Sequence, residues 1–387
     1  MSHPHTRSPQ HDSVAGPSVV WLAAGLLLAG LGTVLLGPIM PTLLHDWRLT
    51  DQQGGLLLAS KFVGAFLGGV SVPRRLRLGV LAGAILSCIG FAAFALSTGL
   101  LSGAAWLFVS GFGLGQLIAS SNIVVGRRFT SHTGSALSLV NFFWSLGAVL
   151  CGLIAAAVLP RFQLRQALLS FAAMFLLTGI GGLMQPSKEA AAAPDLSPID
   201  SAQPPPQFLL RFGLLLFLYG GLETCITGWL TTYTVRFSDT HLLGGQSAIV
   251  LLWSALTAGR ALSSAALRII PEPTLQRLGM ALSTLWIAAL ATTSHGPLLS
   301  LYSVLLGLSL APFFPTTFAL LIESRPTARA AGLLLAVSGL GAALFPWMMG
   351  FLSTQSGSLR VAMIVPLALA LILLLLSAVP TRNSQPG

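Results

Sequence analysis

Apolar residues run along this chain in long, nearly unbroken stretches, and the breaks between them fall at charged or turn-forming residues. Grouping the stretches predicts twelve helices at 18–44, 52–72, 78–98, 101–126, 133–158, 163–184, 208–236, 243–266, 274–294, 297–322, 329–353 and 358–379. Each approaches or exceeds the roughly 20 residues that cross a hydrocarbon core about 30 Å thick. The pattern is helical throughout and predicts an all-α membrane protein.

Composition agrees. The 387 residues are 54% hydrophobic and only 8% charged, whereas a soluble globular domain carries about a quarter charged residues. The formal charge of +10 does not indicate nucleic acid, because the arginines stand singly or in short clusters between apolar runs and form no basic face. They report topology instead. With a cytoplasmic N-terminus, the inner loops hold Arg74, Arg75, Arg77, Arg127, Arg128, Lys188, Arg268, Arg277, Arg325 and Arg329, against Arg48, Arg161, Arg165, Arg236 and Arg360 outside. That excess is what the positive-inside rule requires.

Residues 1–17 lack a compact signal-peptide pattern and read as a disordered, uncleaved cytoplasmic tail; His3 and His5 in it could bind metal, but a disordered end is the expectation. The segment 185–207, QPSKEAAAAPDLSPIDSAQPPPQ with its flank, is too rich in Ala, Pro and acidic residues to bury a core. It is expected as a cytoplasmic linker between a six-helix half at 18–184 and a second at 208–379, with a cytoplasmic tail at 380–387. Laying helix 7 on helix 1 at an offset of 191 matches Gly30, Leu31, Thr33 and Gly37 with Gly221, Leu222, Thr224 and Gly228. At an offset of 190, Gly54 and Gly55 fall on Gly244 and Gly245, and Gly69 on Gly259. A parallel repeat of two six-helix halves suits a carrier whose site lies at the seam and opens alternately by rocking.

Two ionisable residues, Lys61 and Glu223, fall deep in predicted helices, and the other charges map to helix ends and loops. A charge at such depth costs about 2.5–3.5 kcal/mol on insertion scales, so a paired or water-lined position is expected. Glu223 shares a helical stripe with Tyr219, Thr227 and Thr231. It could tie helices together by pairing with Lys61, or take up a proton near neutral pH as a coupled carrier requires. Lys61 could snorkel toward an interface, neutralise Glu223, or hold an anionic group of the solute. On helix 5, Ser138, Asn141 and Ser145 form a second stripe beside Trp144, and helix 4 adds Gln116 and Asn122. Amides and hydroxyls beside aromatic faces suit a sugar, and they also join membrane helices to one another. Trp229 and Trp253 are further candidate stacking surfaces. The prolines of GPIMP at 37–41 and APFFPTTF at 311–318 bend helices 1 and 10.

Other machinery leaves no trace in the chain. There is no G-x-x-x-x-G-K-[ST] phosphate loop, no His, Cys and Asp cluster at catalytic metal spacing, and no nucleophile beside a base. Neither an enzyme nor a resident cofactor or metal is expected. Cys88, Cys151 and Cys225 lie inside apolar runs, where a buried thiol is a small hydrophobe.

The twelve-helix plan with its central linker resembles the major facilitator superfamily. GGVSVPRRLRLG at 68–79 is similar to that family's Gly-x-x-x-Asp-Arg-x-x-Arg-Arg signature, with Pro73 in place of the aspartate and Arg74, Arg75 and Arg77 retained as candidate gating residues. FLYGGLETCITGWLTTYTVRF at 217–237, LWSALTAGRALSS at 252–264 and LGLSLAPFFPTTFALLIE at 306–323 resemble the fucose permease-like sugar:proton symporters. The resemblance implies a two-lobed fold, a sugar or polyol substrate and a cation gradient. It also shows a departure: the family's helix 4 carries the pattern Glu-Thr-Ala-Ala-Asn, whose glutamate serves proton coupling, whereas residues 118–122 here keep Asn122 but carry Ile118 where the acid belongs.

The expectation is therefore a secondary carrier in a bacterial inner membrane, monomeric, with both termini cytoplasmic, moving a small polar solute by alternating access. Glu223 is the expected proton or hydroxyl acceptor and Lys61 its counter-charge. Asn141, Gln116 and Asn122 are expected as hydroxyl partners beside Tyr219 and Thr227, with Trp144, Trp229 and Trp253 stacking. An exporter of drugs or organic anions is the alternative. A membrane sensor is disfavoured because no stretch outside the apolar runs is long enough for a signalling domain.

Overall fold

The computed structural model describes residues 18–128, 133–184, 205–323 and 328–378. The tail expected at 1–17, nearly all of the linker expected at 185–207, and residues 380–387 lie outside them. Among the described residues the chain is helical without strands. The first seven helices are α1 (Val19–Val34), α2 (Leu36–Asp46), α3 (Asp51–Val70), α4 (Leu76–Leu96), α5 (Leu100–Arg128), α6 (Thr133–Val158) and α7 (Leu164–Leu183). Then come α8 (Pro206–Phe237), α9 (Ser247–Ala266), α10 (Glu272–Thr292), α11 (Gly296–Leu310), α12 (Phe313–Glu323), α13 (Ala328–Ser356), α14 (Leu359–Ala362) and α15 (Ile364–Ala378).

The ends of these helices are written in local chemistry. Thr50 and Gln53 form a capping box at the start of α3, with the Gln53 N–H donating to Thr50 Oγ1 at 3.3 Å and the Thr50 N–H to Gln53 Oε1 at 2.9 Å. Ser18 caps α1 by accepting from the Trp21 N–H, and Pro206 opens α8 where a missing N–H is harmless.

Among the described residues these elements make twelve rods, close to the predicted ranges, and three of them are broken. Helix 1 is two segments, α1 and α2, bent by 43°, because neither Pro38 nor Pro41 can donate to the preceding turn. Helix 10 divides into α11 and α12 at Ala311 and Pro312, and helix 12 into α14 and α15 at Met363. Among the described residues, nine helices are long and apolar enough to span a membrane, or ten with α1 and α2 taken as one bent span. The remaining rods are α9, whose apolar stretch is Ser247–Ser263, and α10.

Within the first part of the chain α5 packs on α3 and α4, α6 on α1, and α7 on α4. Within the second, α13 packs on α8, α11 on α9 and α10, and α15 on α10. The most extensive crossings between the parts are α3 with α13, α6 with α9, and α2 with α8. The repeat seen between helices 1 and 7 is physical at the last crossing. A Cβ added to Gly37 would stand 2.2 Å from the Thr227 carbonyl oxygen and 3.5 Å from Cα of Gly228, so Gly37 and its counterpart at the 191 offset face each other, as two-fold related positions on an axis must. The second match does not survive. Gly54 and Gly55 are helical residues of α3, whereas Gly244 (φ 61°) and Gly245 (φ 86°) are left-handed and lie in a 3-10 turn before α9.

The halves converge at one end of the bundle. Between α3 and α13, a Cβ on Gly350 would lie 2.3 Å from the Asp51 carbonyl oxygen, and one on Gly55 would lie 2.8 Å from Cα of Trp347. Farther along the same pair, a Cβ on Gly339 would have no neighbour nearer than 3.5 Å. Large apolar side chains such as Leu139, Phe142, Leu177, Ile364 and Leu375 are exposed on the bundle's surface, as contact with acyl chains requires.

Candidate functional site

Along α8 every residue from Leu218 to Thr234 is buried except Glu223. Its carboxylate does not meet Lys61. It meets Arg260 of α9, whose Nη2 donates to Glu223 Oε1 at 3.4 Å while Nη1 donates to Ser145 Oγ of α6 at 3.2 Å. The expected counter-charge is thus corrected from Lys61 to Arg260. One guanidinium joins the two parts of the chain, since Ser145 belongs to the first half and Glu223 to the second. Charge-assisted N–H···O bonds ordinarily close to about 2.7–2.9 Å, so this pair is loosely made. The two side chains keep 28% and 20% of their surface exposed, which leaves both open to a solute.

Around the pair stand several of the expected partners. Tyr219, one turn before Glu223, donates its hydroxyl to the Leu310 carbonyl at 3.1 Å and stacks on Phe313 with centroids 4.9 Å apart. Asn141 Nδ2 donates to Asn122 Oδ1 at 3.0 Å, an exposed amide pair on the α6 face that also carries Ser145. Trp144 meets Trp253 edge to face across the α6 and α9 seam, with centroids 5.8 Å apart.

Other expected residues lie elsewhere. Lys61 is buried and donates to the carbonyls of Gly32 and Thr33, at the end of α1 just before its break, with the Phe62 ring 4.8 Å away. Its face of α3 turns into its own half. Trp229 is fully buried, its indole N–H donating to the Pro346 carbonyl at 3.0 Å, so it offers no stacking surface. Gln116 lies on the α3 and α5 contact and donates to the Ser71 carbonyl at 3.3 Å. Thr227 is buried where α8 crosses α2. Thr231 continues the stripe, donating to Gln246 Oε1, and Gln246 Nε2 donates to the Pro38 carbonyl at 2.8 Å. Arg77 reaches the Gly182 and Leu183 carbonyls of α7, both at 3.1 Å, within the first half; Arg74 and Arg75 are exposed.

A second polar cluster closes the converged end. Arg236 forks onto Asp51, with Nη1 to Oδ2 and Nη2 to Oδ1 both at 2.6 Å, and Ser353 Oγ donates to Asp51 Oδ2 at 2.6 Å. The Gln52 N–H donates to Thr354 Oγ1 at 2.9 Å beside it. Asp51, Arg236 and Arg260 escaped the sequence reading because each lies near an end of its predicted helix. The available signal was that both LWSALTAGRALSS and the 217–237 stretch carry a lone arginine in apolar surroundings. Among the described residues no three His, Cys, Asp or Glu side chains group as a metal site.

Residues 22–331 match the Major Facilitator Superfamily, and the chain belongs to that family of multi-pass membrane transporters. It is 30% identical over 152 residues to the niacin transporter NiaP of Acinetobacter baylyi, covering 38% of this chain and 35% of NiaP. It is likewise 30% identical over 139 residues to the 4-hydroxybenzoate transporter PcaK of the same organism, covering 34% of this chain and 30% of PcaK. The matched stretches thus span about a third of each relative's length. In fold, it superposes on a bacterial homologue of the human lysosomal transporter Spinster in an inward-facing, occupied conformation, with TM-score 0.76, 12% identity, and coverage of 96% of this chain and 97% of the other. On the transporter FucP in its outward conformation the TM-score is 0.60, with 17% identity and coverage of 93% and 97%. The resemblance to fucose permease-like carriers therefore extends to the fold.

Proposed function

We propose that this protein is a proton-coupled secondary carrier of a small organic carboxylate, with Arg260 as the anchor for the anion and Glu223 as the proton site. The observation that carries the reading is the loose, exposed Glu223–Arg260 pair that reaches across the seam to Ser145. An arriving carboxylate competes with Glu223 for the guanidinium fork, the geometry Arg is best at. Glu223, deprived of its counter-charge in a low-dielectric site, then accepts a proton. Anion and proton cross together, the net charge of the loaded site matches that of the empty one, and the halves rock without moving charge through the bilayer.

The relatives support this reading, since niacin and 4-hydroxybenzoate, named for NiaP and PcaK, are both aromatic rings bearing one carboxylate. The arginine excess at the opposite end supports placing the converged end at the outer face, and with it an inward-facing conformation. A bacterial inner membrane and a monomer remain the expected setting.

A second reading, sugar:proton symport, is favoured by the exposed Asn122–Asn141 pair beside Trp144, a set of amides and ring that suits hydroxyls and sugar C–H faces. Liposomes containing the purified chain and an inward proton gradient decide between them. Accumulation of labelled nicotinate or 4-hydroxybenzoate, collapsed by a protonophore, is expected; accumulation of a labelled hexose alone would assign the sugar.

A further inference from the structure

The stripe of α9 that carries Arg260 holds two more donors. Positions 253, 257 and 260 fall within about 60° of one another on a helix of 3.6 residues per turn. Trp253 and Arg260 contact adjacent residues of α6, Trp144 and Ser145, so the stripe lies along the seam between the halves. The indole N–H of Trp253, a residue only 2% exposed, is buried with no hydrogen-bond partner, and so is the hydroxyl of Thr257 one turn on. Buried polar groups are nearly always paired, and two orphans on one face beside a lightly held guanidinium ask for a missing partner.

We infer that Trp253, Thr257 and Arg260 form an anion-recognition stripe, in which the indole N–H and the threonine hydroxyl determine specificity by donating to the carboxylate that Arg260 anchors. This rests on the transport site proposed above and adds to it the residues that select the ligand. An indole N–H can only donate and a guanidinium can only donate, whereas a carboxylate only accepts, through two oxygens with about four lone-pair sites. The fit is one of opposites. A primary amide of the same shape places two N–H donors where the stripe also donates, and leaves buried donors facing donors, which is how a polar site rejects a near-isostere. Trp253 thus acts through its indole N–H, with Trp144 set against it in a T-shaped contact.

The test uses the full chain in detergent with benzoate and benzamide, which differ in charge and acceptor count but little in shape. Calorimetric titration should show benzoate preferred by about tenfold or more, the step that one or two charge-assisted hydrogen bonds give. Thr257→Val, which keeps the volume, and Trp253→Phe, which keeps an aromatic ring but a smaller one, should each weaken benzoate about five- to tenfold and shrink the preference, with the thermal midpoint of unliganded Thr257→Val unchanged. If both variants bind benzoate as the wild type does while Arg260→Gln abolishes the preference, the stripe is refuted and the carboxylate site survives. If wild type binds the two probes alike, the anion class itself falls. Should Trp253→Phe fold poorly, Thr257→Val decides alone.

Discussion

Arg236 and Asp51 are 185 residues apart and belong to opposite halves, yet they form two parallel hydrogen bonds of 2.6 Å. Asp51 retains 9% exposure and takes a third bond from Ser353. Contrast the central pair, where the one bond is 3.4 Å: the end of the bundle is latched and the site is not. The latch has to part if the halves are to open there. Arg236 is 38% exposed, so water discounts the pair, and about 1–2 kcal/mol is a fair worth, a factor of roughly 5–30 in population. Asp51→Asn should therefore raise maleimide labelling of a cysteine placed at Thr232, which is 1% exposed at that end, in a background lacking the three native cysteines. Ser353→Ala should do so more weakly. Labelling unchanged in Asp51→Asn would mean the pair holds loops and not the closed state.

Glu223→Gln keeps the size of the side chain and its acceptor oxygen but can carry no charge and exchange no proton. Gradient-driven accumulation should fall to the level of equilibration, while exchange of labelled substrate across the same liposomes persists. The proton role is refuted if uptake keeps its dependence on pH. Arg260→Lys separates the two partners further. A lysine restores charge without the fork, so coupling is expected to persist with weaker substrate affinity.

Much of this architecture is legible from period and breaks alone, because a bilayer demands long apolar helices and punishes every unsatisfied backbone group. Among the described residues the ranges of the twelve rods and the breaks near GPIMP and APFFP follow from that demand. Partners do not. In sequence Asp51 reads as the residue just before a helix and Arg236 as the last residue of another, and nothing linear says that the same end of the seam receives both. Lys61 and Glu223 each stand midway along their helices, but α3 turns Lys61 toward the broken end of α1 while α8 turns Glu223 toward α9. Depth is encoded in the count of residues, azimuth in the packing of helices far away in sequence.

Lys61 is a buried ammonium whose partners are carbonyls of α1. Burying an ion costs several kcal/mol, and bonds from a charged donor return about 1.5–3 kcal/mol each, so the two sides nearly cancel. Lys61→Met, similar in shape, should shift stability by less than about 1 kcal/mol, whereas Lys61→Ala should cost about 2–4 kcal/mol through the cavity it leaves. Transport is a different matter, because the bonded carbonyls stand at the break whose far side, α2, seals against α8. Slower uptake with an unaltered thermal midpoint is the expected result for Lys61→Met. A midpoint lowered as far as in Lys61→Ala would make Lys61 a structural tie and nothing more.

Two glycines on α3 and α13 distinguish movement between halves from packing within one. Gly350 of α13 lies against the Asp51 carbonyl, so that an added Cβ would come within 2.3 Å of it; Gly64 of α3 lies against the Phe108 carbonyl, where a Cβ would come within 2.1 Å. Sterically the two clashes are alike, and in both the neighbour is backbone that cannot turn aside. Their consequences differ because α3 and α5 belong to one half and travel together, while α3 and α13 belong to two and part whenever the latched end opens. Gly64→Ala strains every conformation equally and should lower stability by about 1–3 kcal/mol without changing the labelling of Thr232→Cys. Gly350→Ala strains only the closed state. The protein can relieve that strain by opening, so labelling at Thr232→Cys should rise while the thermal midpoint moves less than in Gly64→Ala. If the two alanines behave alike, α3 and α13 do not separate at this end and the motion runs along another seam.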